Sequence, residues 1–460
     1  MKVMKFGGSS VQDADRIRHV ISIVQKAQEA GSLCVVFSAM RGVTDDLIKA
    51  ALNAQAGRTE YRDIVAHIRE RQTQAVEALF PEAQRKKALE PLHARCGEIL
   101  DILHGIELVR ECTPRSMDLV MSFGERLNCR LIASVMRSMG MQAVYFDARS
   151  IIVTDGRYGS ARVDFKNTYK NIRRKLSKVK GIAVVTGFIA AAADGVTTTL
   201  GRNGSDYTAA LLAAGLGADS LEVWKDVDGV LSADPAVVKD AFVIDEISYE
   251  EAMEMSFFGA EVIHPYTMGP VLEKNIPLWV RNTLNPAARG TRIARDIKRH
   301  SWPITGIASI ENVALINVEG SGMQGTPGIA SRVFSALAKE DVNVIMISQA
   351  SSEHSICIVC RAEQAERALA VLKAEFAREI ETRQIENFEL AGDLEIIAII
   401  GENMRGTPGI SGRLFSALGE KKINVLAIAQ GSSERNISFV VDSRDRVKAI
   451  NTVHRAFFSV

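Results

Sequence analysis

No excess of either charge marks this chain: 56 lysines and arginines stand against 55 aspartates and glutamates in 460 residues. Without a field of one sign, neither nucleic acid nor an anionic membrane surface is expected as the main partner, and small molecules are. Aromatic residues are scarce at 6%, yet hydrophobic residues reach 47% and charged residues 24%, the balance of a globular chain rather than a disordered one. The six cysteines are scattered too widely for a disulfide framework, which suits a reducing compartment. No apolar run approaches bilayer length. Met1 leads straight into an apolar strand and a glycine loop, without the sections of a secretory signal, so a cytoplasmic location is expected. The length points to two or three domains. The basic stretch Arg173, Arg174, Lys175, Lys178 and Lys180 reads as a solvated helix face.

Two familiar spacings lead nowhere. Cys357 and Cys360 form a CxxC, but in an extended run residues three apart point to opposite faces, so their sulfurs do not converge. "GSGMQG" (Gly320 to Gly325), with Asp341 downstream, imitates a dinucleotide fingerprint. Its second copy reads "GENMRG" and drops the middle glycine, and neither copy opens a long doubly wound sheet.

Residues 1–295 alternate strand and helix patterns in the manner of an α/β domain, interrupted by a mostly helical section at about 46–139. Beyond it lies an internal duplication: "GTPGIASRVFSALAKEDVNVIMISQASSEHSI" and "GTPGISGRLFSALGEKKINVLAIAQGSSERNI" align without a gap at an offset of 81. Each copy reads as a ferredoxin-like βαββαβ module, at 303–390 and 391–460. The second copy lacks a last strand of its own, and "ITGIASI", within 303–310, is the candidate to supply it and interlock the pair.

"KFGG" (Lys5 to Gly8) closes the first strand and opens the first helix. Glycines there let backbone N–H groups approach a phosphate, and Lys5 adds a full positive charge. It is no P-loop, since GxxxxGK[ST] is absent, and such a junction also serves as a plain turn. A second loop, "TLGRNGSDYTAALLAA", crowds Gly201, Arg202, Gly204, Ser205 and Asp206, a charged pair and an N-cap candidate among them, into the start of an apolar helix. An arginine fork suits a carboxylate, and an acidic residue beside phosphates suits a partner lysine or a metal.

These loops, with "FSAMRGVTDDL", "SFGERL", "WKDVDGV", "FGAEVIHP" and the duplicated modules, resemble the aspartokinase family of the amino-acid-kinase superfamily along essentially the whole chain. The resemblance implies an α/β fold, a helix-sandwiched kinase sheet followed by two ACT modules. It implies ATP and Mg2+ as cofactors and transfer of the γ-phosphoryl group to the β-carboxylate of L-aspartate, the first step of lysine, threonine and methionine biosynthesis. Lys5 would neutralise the transferring phosphoryl group, Asp206 would orient Lys5, and Gly7 and Gly8 would support the phosphates. Arg202 would clamp the substrate's α-carboxylate and Glu125 would answer its α-amino group, with Thr44 and Ser205 hydrogen-bonding to it. Lys225 and Asp226 would lie beside the nucleotide. Glu125 also reads as a first-turn helix carboxylate, and Thr44 and Ser205 as plain caps; His264 reads as structural. Metal ligands are not legible.

Three positions depart from the family pattern near the expected nucleotide side: Leu231, Ala236 and Glu261 stand where tyrosine, arginine and lysine are frequent. Lys225, where threonine is frequent, offers a compensating charge. Gln349 and Gln430 occupy identical places in the repeat and are the candidate effector residues. "ISQASSE" and "IAQGSSE" are most similar to threonine-responsive members, so threonine is the first expectation for the effector and lysine the second. The fused members of the family continue into a dehydrogenase; kinase activity alone is expected here, in a homodimer or higher oligomer joined through the ACT modules. The rival readings are a kinase for another amino acid such as glutamate, and a catalytically dead amino-acid sensor.

Overall fold

The computed structural model describes residues 1–259, 265–298, 301–349 and 354–459; Glu261 and His264 lie outside them. The chain divides into two units. Unit 1 takes Met1–Val230, Asp245–Tyr249 and the described part of Val262–Ile297; unit 2 takes Leu231–Ile244 and the described parts of Glu250–Glu261 and Lys298–Val460. No helix among the described residues is long and apolar enough to cross a membrane.

Unit 1 is built on strands of which the central ones, such as Leu33–Phe37 and Ile182–Thr186, are buried along their whole length because both faces are covered. In chain order they are β1 (Lys2–Phe6), β2 (Leu33–Phe37), β3 (Ala143–Phe146), β4 (Val153–Thr154), β5 (Ile182–Thr186), β6 (Ile189–Ala192), β7 (Thr197–Thr199), β8 (Leu221–Lys225), β9 (Glu246–Ile247), β10 (Leu278–Asn282) and β11 (Thr291–Ile293). Eight form one sheet in the order β3-β5-β2-β1-β8-β10-β11-β9, while β4, β6 and β7 make a small second sheet. β1 runs parallel to β2 on one side and to β8 on the other. The chain therefore winds outward from β1 in both directions, and the crevice at the carboxyl ends of β1 and β8 is where such a sheet takes its ligand. Phe6 floors that end, stacked between Phe37 at 5.6 Å and Trp224 at 5.7 Å.

The helices of this unit are α1 (Ala14–Gln28), α2 (Val43–Gln55), α3 (Tyr61–Leu79), α4 (Glu82–Val109), α5 (Pro114–Ser138), α6 (Phe165–Leu176) and α7 (Gly204–Leu216), with α8 (Tyr249–Phe257) starting at its border and α9 (Pro265–Glu273) following. The helical section of the sequence is thus α2 to α5. The last of these starts cleanly: the Thr113 side chain accepts from Ser116 N–H and Pro114 takes the first helical position.

Unit 2 adds β12 (Gly306–Glu319), α10 (Ile329–Lys339), β13 (Val344–Gln349), β14 (Ser355–Arg361), α11 (Ala362–Glu375), α12 (Ala377–Glu381), β15 (Asn387–Ile400), α13 (Ile410–Glu420), β16 (Ala427–Ala429), β17 (Asn436–Asp442) and α14 (Arg446–Phe458). Its sheet is antiparallel, in the order β13-β14-β12-β15-β17-β16. The two central strands are each shared between modules. Gly306–Ile310 of β12 pairs with Ile396–Ile400 of β15, whereas Val313–Glu319 pairs with the earlier half of β15 and with β14. The crossover is marked by left-handed backbone at Asn312 (φ 55°) and Asp393 (φ 54°), the same position in both copies.

The fold also explains the false fingerprint. A Cβ on Gly320 would come within 2.2 Å of the Gln384 carbonyl, and one on Gly401, its counterpart, within 2.8 Å of Ile304 Cα. Those glycines admit a neighbouring backbone, not a pyrophosphate. Cys360 is buried and Cys357 half-buried on β14, and burial pushes both thiols up.

Candidate active site

The carboxyl ends of β1, β2, β5, β8 and β10 feed loops that converge on one edge of the large sheet. Lys5, next to last in β1, is 7% exposed and forms an ion pair with Asp206, 2% exposed, in the first turn of α7. Lys225 ends β8 with its Nζ 4.0 Å from Asp206 Oδ2. One buried carboxylate thus faces two ammonium groups. Such a pair survives burial only because the partners neutralise each other.

Tight backbone packing surrounds the cluster. A Cβ on Gly8 would meet the Ala39 carbonyl at 3.0 Å and Arg41 N at 3.3 Å, so the first glycine loop lies flat against the loop after β2. That loop is held from below by α5. Gly124 lets the helix come close, since its Cβ would fall 2.9 Å from Ala39 Cβ. Glu125 Oε1 accepts from Ala39 N–H at 3.2 Å, and Asn128 Nδ2 donates to the Ser38 carbonyl at 2.7 Å. Glu125 Oε2 and Asn128 Oδ1 are buried and have no hydrogen-bond partner among the described residues. Burial pushes Glu125 up to about 8, against a smaller downward pull from the Ala39 N–H. Its carboxyl is therefore largely protonated at neutral pH, and a cation placed on Oε2 would ionise it.

The second loop is equally constrained. Gly201 (φ 77°) and Asn203 (φ 56°) turn the chain into α7, leaving Arg202 exposed between them. Ser205 is buried at the helix start, and a Cβ on Gly187 would fall 2.5 Å from its Oγ. Thr44 is half-buried in the first turn of α2, just after Gly42 (φ 83°). Asp226 is exposed and walls a cavity of about 130 Å³ together with Ser9, Arg16, Arg41 and Lys225.

The structure thus brings Lys5, Asp206 and Lys225 into one cluster and joins Gly8 to Glu125 through Ala39. Among the described residues no ion pair or side-chain hydrogen bond ties Thr44, half-buried, or Arg202, exposed, to that cluster. Leu231 and Ala236 belong to unit 2. Gln349 ends β13 and Gln430 follows β16, both exposed, and although these are the two edge strands their ends approach: Ser348 Oγ donates to the Ile428 carbonyl at 2.9 Å.

Sequence reasoning passed over Asn128, which shares a helix face with Glu125 at three residues' spacing, and Arg16 and Arg41 beside the cavity. It also passed over Asp118, whose buried carboxylate accepts from Gly159 N–H, Thr199 N–H and the Thr199 hydroxyl, tying α5 to the small sheet. Among the described residues no group of three or more His, Cys, Asp or Glu could hold a metal ion. A crevice with two ammonium groups, two glycine loops and the start of α7 suits a polyphosphate.

Comparison with known proteins agrees with that chemistry. The amino acid kinase family model matches residues 1–282, and the ACT domain model matches 316–376 and 397–457. The chain is 36% identical over 463 residues to the chloroplastic bifunctional aspartokinase/homoserine dehydrogenase 1 of Arabidopsis thaliana, covering 99% of this chain and 51% of that protein. It is 31% identical to the aspartokinase of Schizosaccharomyces pombe, covering 98% of this chain and 92% of that one. The chain spans about half the length of the bifunctional relatives it matches. E. coli aspartokinase III, solved with aspartate and ADP in the R-state and with lysine and aspartate in the T-state, superposes with TM-scores of 0.81 and 0.82. Both structures share 29% identity with this chain, and both chains are covered completely.

Proposed function

Given that this chain belongs to the amino acid kinase family and, within it, to the aspartokinases, we propose that it phosphorylates the β-carboxylate of L-aspartate with ATP, under control of an amino acid bound by the ACT modules. The observation that carries the reading is the buried Lys5–Asp206 pair, with Lys225 as second cation, at the carboxyl end of β1 and β8.

The nucleophile is a carboxylate, ionised at neutral pH, so no general base is required. Its oxygen bonds to the γ-phosphorus as the β–γ bridging bond breaks, and the electron pair leaves with ADP. Lys5, held in place by Asp206, offsets charge on the transferring group; Gly7 and Gly8 present backbone N–H groups to the phosphates, and Lys225 and Asp226 lie on the nucleotide side. ATP enters as its magnesium complex, the metal being part of the substrate. Arg202 clamps the aspartate α-carboxylate, Glu125 Oε2 receives the α-ammonium group, and Thr44 and Ser205 add hydrogen bonds. Threonine is the first choice of effector and lysine the second, received near Gln349 and Gln430, with two or more chains joined through the ACT modules.

The test is ADP release from Mg-ATP with L-aspartate, L-glutamate or no acceptor, each with and without threonine or lysine. Aspartate-dependent release suppressed by threonine is expected. Release with glutamate alone would reassign the acceptor, and amino-acid binding without any release would make the chain a sensor.

A further inference from the structure

A cavity of about 580 Å³ lies in unit 1 away from the proposed phosphotransfer site, between α3, α4 and α5. That volume falls within the ~300–1,000 Å³ typical of small-molecule sites. Val76, Leu92, Leu127 and Leu131 make its floor apolar. Among the described residues that line it, none is acidic, whereas Lys87, Arg95, Arg130 and Arg137 stand around it. Arg95 is committed to Glu98 at 2.5 Å, and Arg137 donates to the Ala143 carbonyl and to Ser134 Oγ. Lys87 and Arg130 have no carboxylate partner among the described residues; the Arg130 guanidinium lies over the Tyr145 ring, 4.6 Å from its centroid.

One polar group interrupts the apolar floor. Gln72 is 1% exposed, and its Nε2 has no acceptor among the described residues. A buried amide donor left without an acceptor is costly, so its place in the wall of a cavity points to a partner that arrives from outside the chain.

The position of the cavity follows from helix geometry. At 100° per residue, Leu127, Leu131 and Ser134 fall on the side of α5 opposite Glu125. One helix thus backs both sites, its Glu125 face under the loop after β2 and its Leu127 face in the cavity wall.

We propose that this cavity is a second ligand site that takes an anionic amphiphile: a small molecule with an apolar body to fill the floor, an oxygen to accept from Gln72, and a carboxylate or phosphate head for Lys87 and Arg130. Charge complementarity selects the head and the floor selects the body.

Calorimetric titration of the intact chain with dodecanoate, dodecyl phosphate and dodecyl maltoside tests this. The two anions are expected to bind a single saturable site that dodecyl maltoside does not fill, and the tighter of them assigns the head group. Lys87→Gln combined with Arg130→Gln should weaken the anions about tenfold or more. Ala88→Trp, which fills the cavity from a half-buried position, should abolish binding while aspartate-dependent ADP release and the melting temperature stay near wild type. Anion binding that survives Ala88→Trp, or a neutral chain bound as tightly as the anions, would overturn the assignment.

Discussion

The two units solve recognition in opposite ways. In unit 1 the centre of the site is buried and already paired: Lys5 with Asp206, Glu125 with the Ala39 N–H, and beside it Asn128 with the Ser38 carbonyl. In unit 2 the candidate groups, Gln349 and Gln430, are exposed at strand ends and come in duplicate. Preorganised charge holds its geometry and is worth more out of water; exposed, repeated polar groups can adapt to a ligand and share its load. The modules themselves also differ. The Gly401–Glu402 turn of the second is held by Glu251, which accepts from Glu402 N–H at 2.8 Å and from the Thr305 hydroxyl, and its core extends to Ala233 and Val238. The matching turn of the first module is held by that module's own Glu386, which accepts from Ser321 Oγ at 2.6 Å. Duplication kept the fold, and divergence changed the anchoring.

The contrast breaks most sharply at Lys5. Lys5→Met should lower kcat about 10³-fold or more, with effector binding unchanged in titration; a variant near wild-type turnover would remove Lys5 from the mechanism. Glu125→Gln comes next, raising KM for aspartate about 10- to 100-fold. Here pH sharpens the comparison. Burial raises Glu125 from 4.5 to about 8, so the folded chain keeps a proton that the unfolded chain loses across that window. Glu125 therefore lowers stability as pH rises from 4.5 toward 8, and Glu125→Gln should gain roughly 1–3 kcal/mol in urea melts at pH 8 and almost nothing at pH 4. Because the α-ammonium group requires the carboxylate form, wild-type KM for aspartate should fall as pH rises and level off above about 8, while the glutamine variant stays flat. The smallest effects belong to unit 2. Gln349→Ala and Gln430→Ala should each raise the effector concentration for half-inhibition about fivefold, with kcat unchanged. The change at Gln349 should be the larger, since its module lacks the Glu251 anchor; equal shifts would mean that anchoring does not distinguish the modules.

Much of this was legible because it is local. Glycine loops at strand ends and the repeat at an offset of 81 are patterns of neighbouring residues, and the repeat reaches into the backbone, with left-handed pairs at Asn312 and Asp393 and at Asp341 and Lys422. What stayed hidden depends on residues far apart in sequence. Nothing near Asn128 announces that its amide holds the Ser38 carbonyl, 90 residues earlier. Gly187 looks like an ordinary turn residue until Ser205 is found against it. The curl of the antiparallel sheet that brings Ser348 to Ile428 leaves no residue pattern, because the two strands sit at opposite ends of the strand order. The amphipathic pattern of α3 to α5 likewise gives no sign that their apolar faces leave a cavity unfilled.

The shared strands β12 and β15 make the two modules a single heritable part. Each lends half of a long strand to its neighbour, so deleting, transplanting or copying one alone would leave an unpaired edge open to other chains. Gain or loss of sensing modules must therefore proceed in pairs, and a shuffled gene that carried an odd number would encode a sheet with nothing to close it.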